Sequence, residues 1–323
     1  VATSGQDANP GTKSRPLATM EGARDVIRQL KQRGGLPKGG VTVWIRGGDY
    51  VRERGFELTA QDSGTSDAPI VYRSYKSELV RLLGGRAMKG FKPVSEPEVL
   101  SRLSESARGQ VLEADLRAQD ITNFGELKSR GFGRAISPAH LELFCNGQPM
   151  TLARWPNEGE WEKIAGFPES ASKGDDHGGK IGDLPGGFYY AGDRPRRWKD
   201  TSDLWVHGYW AWDWANSYER VESLDLETRL IKTAPPHGLY GFRKGQRFYF
   251  LNVLEELDQP GEWFLDRRSG KLYFWPTAPV EPFNRSTVKP AEPRPRFNDS
   301  TVQRFNEVLI SLLDQPLLQL TDV

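Results

Sequence analysis

A single cysteine, Cys145, stands among 323 residues, which excludes an internal disulfide and any multi-cysteine metal site. It closes the strand-like run Leu141-Glu142-Leu143-Phe144-Cys145, where filling a small apolar slot is the expected role of so commonly buried a residue type. Histidine is nearly as scarce: His140, His177, His207 and His237 are widely separated and share no metal-type spacing. Net charge is almost absent, since 44 Lys and Arg face 43 Asp and Glu, and a balance of +1 gives no electrostatic reason to expect nucleic acid or an anionic membrane as partner. No stretch approaches the roughly 20 apolar residues of a membrane span, and the opening Val1-Ala2-Thr3-Ser4-Gly5 carries neither an initiator Met nor a signal-peptide core. A leader, if there was one, is expected to be gone already. No Gly-rich phosphate loop, Gly-x-Ser-x-Gly elbow or Ser-His-Asp order is persuasive. The loop Asp175-Asp176-His177-Gly178-Gly179 lacks the ordered oxygen ligands of a calcium site. Neither a metal nor a cofactor is implied.

Helix is scarce as well. Leu17, Ala23, Ile27 and Leu30 recur at helical intervals, Thr19 is placed to cap, and Gly34-Gly35 terminates. A second segment, Glu98 to Arg108, is weakly amphipathic and reads as either helix or loop. The rest is strand. Val41–Ile45, Phe56–Thr59, Ile70–Tyr72 and Leu79–Leu83 are short apolar runs separated by turns such as Gly47-Gly48-Asp49 and Asp62-Ser63-Gly64-Thr65. Unequal turns without two-residue hairpin signals fit successive sides of parallel coils, with the leading helix capping the open end of the stack.

From about Ala114 the strands lengthen and become aromatic. Asn146-Gly147 is the strongest hairpin signal in the chain, and strands at 188–190, 203–214, 218–221, 229–232, 247–251, 262–265 and 271–275 continue as a set joined by the Asp225–Thr228 and Asp266–Gly270 turns. This set reads as an antiparallel sandwich or partial barrel. A Pro-rich stretch from Pro276 to Pro295 reads as a linker, after which Val302–Arg304, Val308–Ile310 and Leu317–Leu320 return to short strands like those near the start. The expected division is therefore a cap and first coils over 1–113, an inserted antiparallel domain over 114–276, and a linker with returning coils over 277–323. A coil ending at Val323 without a cap would leave an apolar edge, so the 323 residues are expected to be cut from a longer protein.

Ser4 to Thr12, Ala23-Arg24, Val43 to Tyr50 and Asp62 to Thr65 resemble the start of bacterial right-handed parallel β-helix proteins. Ala153 to Asn157 and Leu254 to Trp263 resemble the inserted sandwich of β-helix glycoside hydrolases, which include xylosidase-like and fucosidase- or xylanase-like members. The resemblance implies a mainly β, secreted or periplasmic enzyme that hydrolyses a polysaccharide or its oligosaccharides. It also implies that the catalytic carboxylates come from later coils, beyond Val323. Two rivals stay open: a polysaccharide lyase on the same helix, which would need a basic residue and often calcium to neutralise a uronate carboxylate, and a non-catalytic glycan-binding or surface-adhesion protein.

Glycoside hydrolysis needs two carboxyl groups flanking the scissile bond. Asp213, Glu255, Glu256, Asp258 and Glu262 sit among aromatics where burial would raise a pKa, but they equally suit ion pairs with Arg243, Arg247 and Arg267. In Trp205 to Trp214, a strand would set Trp210, Trp212 and Trp214 on one face about 6.6 Å apart, and Trp205, His207 and Tyr209 on the other. The three-tryptophan face is read as packing and His207 with Tyr209 as the sugar-facing pair. Arg154-Trp155 offers a guanidinium beside an indole, to a ligand or as a structural pin. The candidate substrate-binding residues are thus His207, Tyr209, Trp210, Arg154, Trp155 and Glu262; the catalytic residues are unassigned.

Overall fold

The computed structural model describes residues 1–135, 141–175, 177–277 and 307–323. Among them the chain is mainly β with few helices, forms no closed barrel, and contains no helix long and apolar enough to cross a membrane. It divides into two compact units, Val1–Arg86 with Ser311–Val323, and Ala87–Ile310. The Pro-rich stretch beyond Thr277, the expected strand Val302–Arg304 and His140 lie outside the described residues.

In the first unit, helix α1 spans Met20–Gly34. Thr19 caps it as expected, its hydroxyl accepting from Gly22 N at 2.9 Å. Asp7 in turn fixes that cap, accepting from Ala18 N and Thr19 N at 2.9 Å and from Thr19 Oγ1 at 2.7 Å. A Cβ on Gly22 would meet the Asp7 carboxylate, which is one reason for glycine there. The buried stripe of the helix is Met20, Ala23 and Ile27, continuing Leu17; Leu30 is exposed, because the stripe drifts off the core side in the last turn. That stripe packs on Val43, Ile45, Tyr50 and Phe56.

These apolar residues come from β1 (Val41–Ile45), β2 (Gly48–Val51) and β3 (Phe56–Thr59), which are followed by β4 (Ile70–Ser74) and β5 (Val80–Leu83). Three ladders of this unit are parallel. Val41 to Ile45 lie beside Ile70 to Ser74, and Gly48 to Val51 lie beside Val80 to Leu83, each about thirty residues further along. The partner of β3 is the distant strand Leu318–Thr321, with Phe56 beside Leu318. Arg28 ties α1 to the turn after β3 through two 2.7 Å bonds to Asp62, whose carboxylate also accepts from Thr59 N.

The second unit is largely antiparallel. Its main sheet has eight strands and runs through Arg154–Trp155, Arg247–Leu251, Trp205–Tyr209, Asn216–Asp225, Leu230–Thr233 and Phe188–Tyr189. A smaller sheet pairs Glu262–Asp266 with Lys271–Phe274 and that strand with Leu112–Asp115. Both anticipated turns close hairpins, Asp225 opposite Leu230 and Asp266 opposite Lys271. At Asn146-Gly147 both φ angles are positive, 58° and 76°, as a tight hairpin between Leu143–Cys145 and Gln148–Pro149 demands.

The run Gln148 to Trp155 is not one strand: Thr151–Leu152 pairs in parallel with Glu262 and Trp263, while Arg154–Trp155 turns to pair with Phe250 and Leu251. Val308–Ser311 forms a short strand, as expected, and lies antiparallel to Leu143–Cys145. The segment after Glu98 is helical only over Pro97–Arg102 (α2). Cys145 is buried and free, and burial raises its thiol, consistent with packing.

Candidate functional site

Alternation along the main sheet separates two chemistries. Trp155, Phe250, Val206 and Phe248 face the core, joined there by Phe188, Trp210 and Phe242. The residues between them form a row on the opposite face: Arg130 lies beside Tyr218, Tyr218 beside His207, and His207 beside Tyr249. Trp161 leans over this row, its ring centroid 5.3 Å from Tyr249, 5.8 Å from Tyr209 and 6.0 Å from His207. Guanidinium groups lie on the rings, Arg154 at 3.4 Å from the Tyr249 centroid, Arg130 at 3.8 Å from Tyr218 and Arg247 at 4.0 Å from Tyr209. With one face of these rings occupied by cations, the surface offers N–H donors and aromatic edges more than bare stacking planes.

His207 is the buried centre of this row, 8% exposed. Burial lowers its pKa to about 4, against a hydrogen bond with Asn216 that acts the other way and with Arg130 and Arg154 adding repulsion, so the ring is neutral near pH 7. Tyr249 is pushed up by burial and by the Tyr218 hydroxyl 3.3 Å away. Tyr209 is half-buried under Arg247 and is the more accessible of the expected sugar-facing pair.

The structure brings His207, Tyr209 and Arg154 to one face and sends Trp155, Trp210 and Glu262 elsewhere. Arg154 is buried; its Nε donates to Pro156 O at 2.7 Å and its Nη2 to Glu160 O at 2.9 Å, which holds the loop carrying Trp161. Trp155 points into the core against Phe250. The strand with Trp205 ends at Tyr209, so the three tryptophans do not share a face. Trp210, 3% exposed, folds back into the space a Cβ on Gly208 would need, and its indole donates to Ser217 Oγ at 2.8 Å. Trp212 lies against Arg243 and His177, and Trp214, 59% exposed, packs edge-on against Phe132 and Tyr240.

Glu262 sits beneath a turn, its Oε2 accepting from Asp258 N at 2.9 Å and Gln259 N at 3.1 Å. Burial pushes its carboxyl up to about 8 although these donors pull it down. Its neighbours are structural pins. Glu255 takes two bonds from Arg102, at 2.8 and 3.0 Å, and Arg194 bridges Glu256 and Asp258 at 2.6 and 3.0 Å. Asp213 pairs with Arg247 at 2.7 Å, one of the arginines expected for it, and Asp175 binds Arg243 and two loop amides. Among the described residues, no three metal-ligating side chains cluster.

The strand Arg247–Leu251 and the turn before Glu262 lie within a segment that matches a known family. Residues 236–277 match the family model of the GH141 insertion domain. A solved structure described as "Glycoside hydrolase" resembles 95% of this chain with a TM-score of 0.64 at 20% identity, and the chain spans 45% of that structure's length. The fold is glycoside hydrolase-like. A complex of XylC with xylose covers 81% of this chain and 32% of its own, but at a TM-score of 0.28 and 13% identity it carries no weight. No curated protein matches.

The matched segment supplies Arg247 and Tyr249 to the aromatic face and Glu255 to Glu262 to the pinned turn. Trp161, Tyr218 and Tyr249 were not singled out from sequence, although the alternation Arg247-Phe248-Tyr249-Phe250-Leu251 already separates a polar-aromatic face from a core face. Trp161 gives no comparable signal, since it lies outside a strand and the one that follows it, Glu162–Lys163, has only two residues.

Proposed function

We propose that the chain is part of a glycoside hydrolase acting on a polysaccharide or oligosaccharide, with the face of Trp161, Tyr209, Tyr218 and Tyr249 contributing to glycan contact. The match of residues 236–277 to the GH141 insertion domain carries this reading, because the matched segment contains Tyr249 of that face and Arg247, whose guanidinium lies on Tyr209. The three parallel ladders of the first unit, with partners about thirty residues apart where the chain is continuous, support our proposal that they are the opening coils of a right-handed parallel β-helix. The same reading carries a secreted or periplasmic location. The buried acids Glu219, Glu255 and Glu256 are engaged with Arg134, Arg102 and Arg194, which on this reading makes them structural rather than catalytic.

The test is the activity of the full-length protein on neutral and uronate-containing glycans, following reducing ends and the ultraviolet absorbance of unsaturated products. New reducing ends without absorbance are expected. Absorbance would indicate elimination, and silence in both signals across a broad panel would indicate a binding protein.

A further inference from the structure

The aromatic face continues past the row centred on His207. Asn216 lies opposite Tyr209, and Phe132 N donates to Asn216 O at 2.7 Å, which carries the pairing of Arg130 with Tyr218 one step further. Alternation therefore sets Phe132, Asn216 and Tyr209 in a second row on the face that already holds Arg130, Tyr218 and His207. The loop between Tyr209 and Asn216 adds Trp214 beside Phe132. Trp214 meets Phe132 edge-on at 5.0 Å and Tyr240 at 5.5 Å, and Phe132 and Tyr240 stack at 6.2 Å.

These three rings differ from the others on the face in two ways. They are open to water, 43% for Phe132 and 42% for Tyr240 beside the more exposed Trp214. Among the described residues no cation lies on any of them, whereas guanidinium groups cover Tyr209, Tyr218 and Tyr249. They keep the bare apolar planes that the rest of the face lacks. Tyr240 also holds a φ of 74°, a region that a bulky side chain seldom occupies, at a cost that burial of so exposed a ring offsets only in part.

One accessible ion pair joins the covered rings to the bare ones. Arg247 lies on Tyr209 and 5.5 Å from the Trp161 centroid, and it donates to Asp213 at 2.7 Å; Asp213 immediately precedes Trp214. The two side chains are 37% and 71% exposed, so an incoming molecule reaches a donor and an acceptor together. A hydroxyl satisfies both, and the pair carries no net charge to favour an anion. An exposed pair contributes little to stability, so exchanging it for hydroxyls costs little. Apolar planes on either side of a donor and an acceptor suit successive pyranoses, whose C–H faces stack while their hydroxyls bond.

We propose that Phe132, Trp214 and Tyr240 form an outer subsite for a neutral glycan chain whose other residues lie along Trp161 and Tyr209. The ligand is then an oligosaccharide of several residues rather than a mono- or disaccharide. The inference rests on the glycan reading of the aromatic face and adds to it the length and neutrality of the chain.

The experiment is stopped-flow tryptophan fluorescence of the full-length protein, which reads binding before turnover, with cello-, xylo- and manno-oligosaccharides of two and six residues and with hexagalacturonate. In at least one neutral series the hexamer is expected to bind at least about tenfold tighter than the dimer. Trp214→Ala is expected to weaken the hexamer by at least about tenfold and to leave the dimer within about twofold, whereas Trp161→Ala weakens both. Tyr240→Asn removes the ring with a residue that suits positive φ; it is expected to act in the same direction and serves if Trp214→Ala does not fold. No gain with length, a preference for the acidic hexamer, equal losses for dimer and hexamer, or unchanged hexamer binding in both variants overturns the subsite. Self-association of the wild type that Trp214→Ala abolishes, with hexamer binding unchanged, would assign the three rings to an interface between copies instead. Hydrolysis is assayed separately: cleavage of glycans without any dependence of binding on length refutes the outer subsite alone, and length-dependent binding without cleavage of any glycan refutes the hydrolase alone.

Discussion

The two faces of the main sheet in the second unit are made by the same strands and solve different problems. On one, Val206, Phe248 and Phe250 are buried together and gain the hydrophobic stabilisation of area removed from water, on the order of 1.5–3 kcal/mol for each large side chain. On the other, Arg130, Tyr218, His207, Tyr249 and Trp161 form a partly accessible layer in which cations and rings satisfy one another. The first face is replaceable by any well-packed apolar set. The second holds a neutral histidine and aligned guanidinium groups that packing alone does not require.

That contrast can be broken at three points. Phe250→Ala, on the core face, is expected to cost about 3–5 kcal/mol, read as a fall in the denaturant midpoint without a change in slope. A loss below about 1 kcal/mol would mean the core face is not the stabilising one.

The second point is His207. Its pKa is held near 4 in the folded chain against an ordinary value of 6.5, so the unfolded chain binds the proton first as pH falls. The stabilisation is whole above pH 6.5, declines through the window between 6.5 and 4, and is gone below it, a change of about 3 kcal/mol. His207→Phe should remove that part of the acid slope. An identical pH profile in the variant would show that the ring does not carry it.

The smallest stability effect belongs to Trp161→Ala, about 1 kcal/mol for its ring contacts, accompanied by weaker glycan binding in the full-length protein. Equal stability losses from Trp161→Ala and Phe250→Ala would erase the distinction between the faces.

What could be read from sequence follows the range of the interaction. The cap at Thr19, the strands β1 and β4, and the Asn146-Gly147 turn depend on neighbours in sequence, and each is found where its residues place it. The tryptophan run failed at Gly208, where the absent side chain admits the Trp210 ring and ends the alternation. Partners of the buried acids were legible only in kind: arginine was expected, but Arg102 reaches Glu255 across 153 residues and Arg194 reaches Glu256 across 62, pairings that only the folded chain selects.

The ladder between β3 and Leu318–Thr321 also sets a clock on the ribosome. Phe56 is translated about 260 residues before Leu318, so at roughly 5–20 residues per second this edge of the nascent first unit waits on the order of ten seconds to a minute for its native neighbour. Throughout that interval β3 presents open backbone groups to whatever strand arrives first.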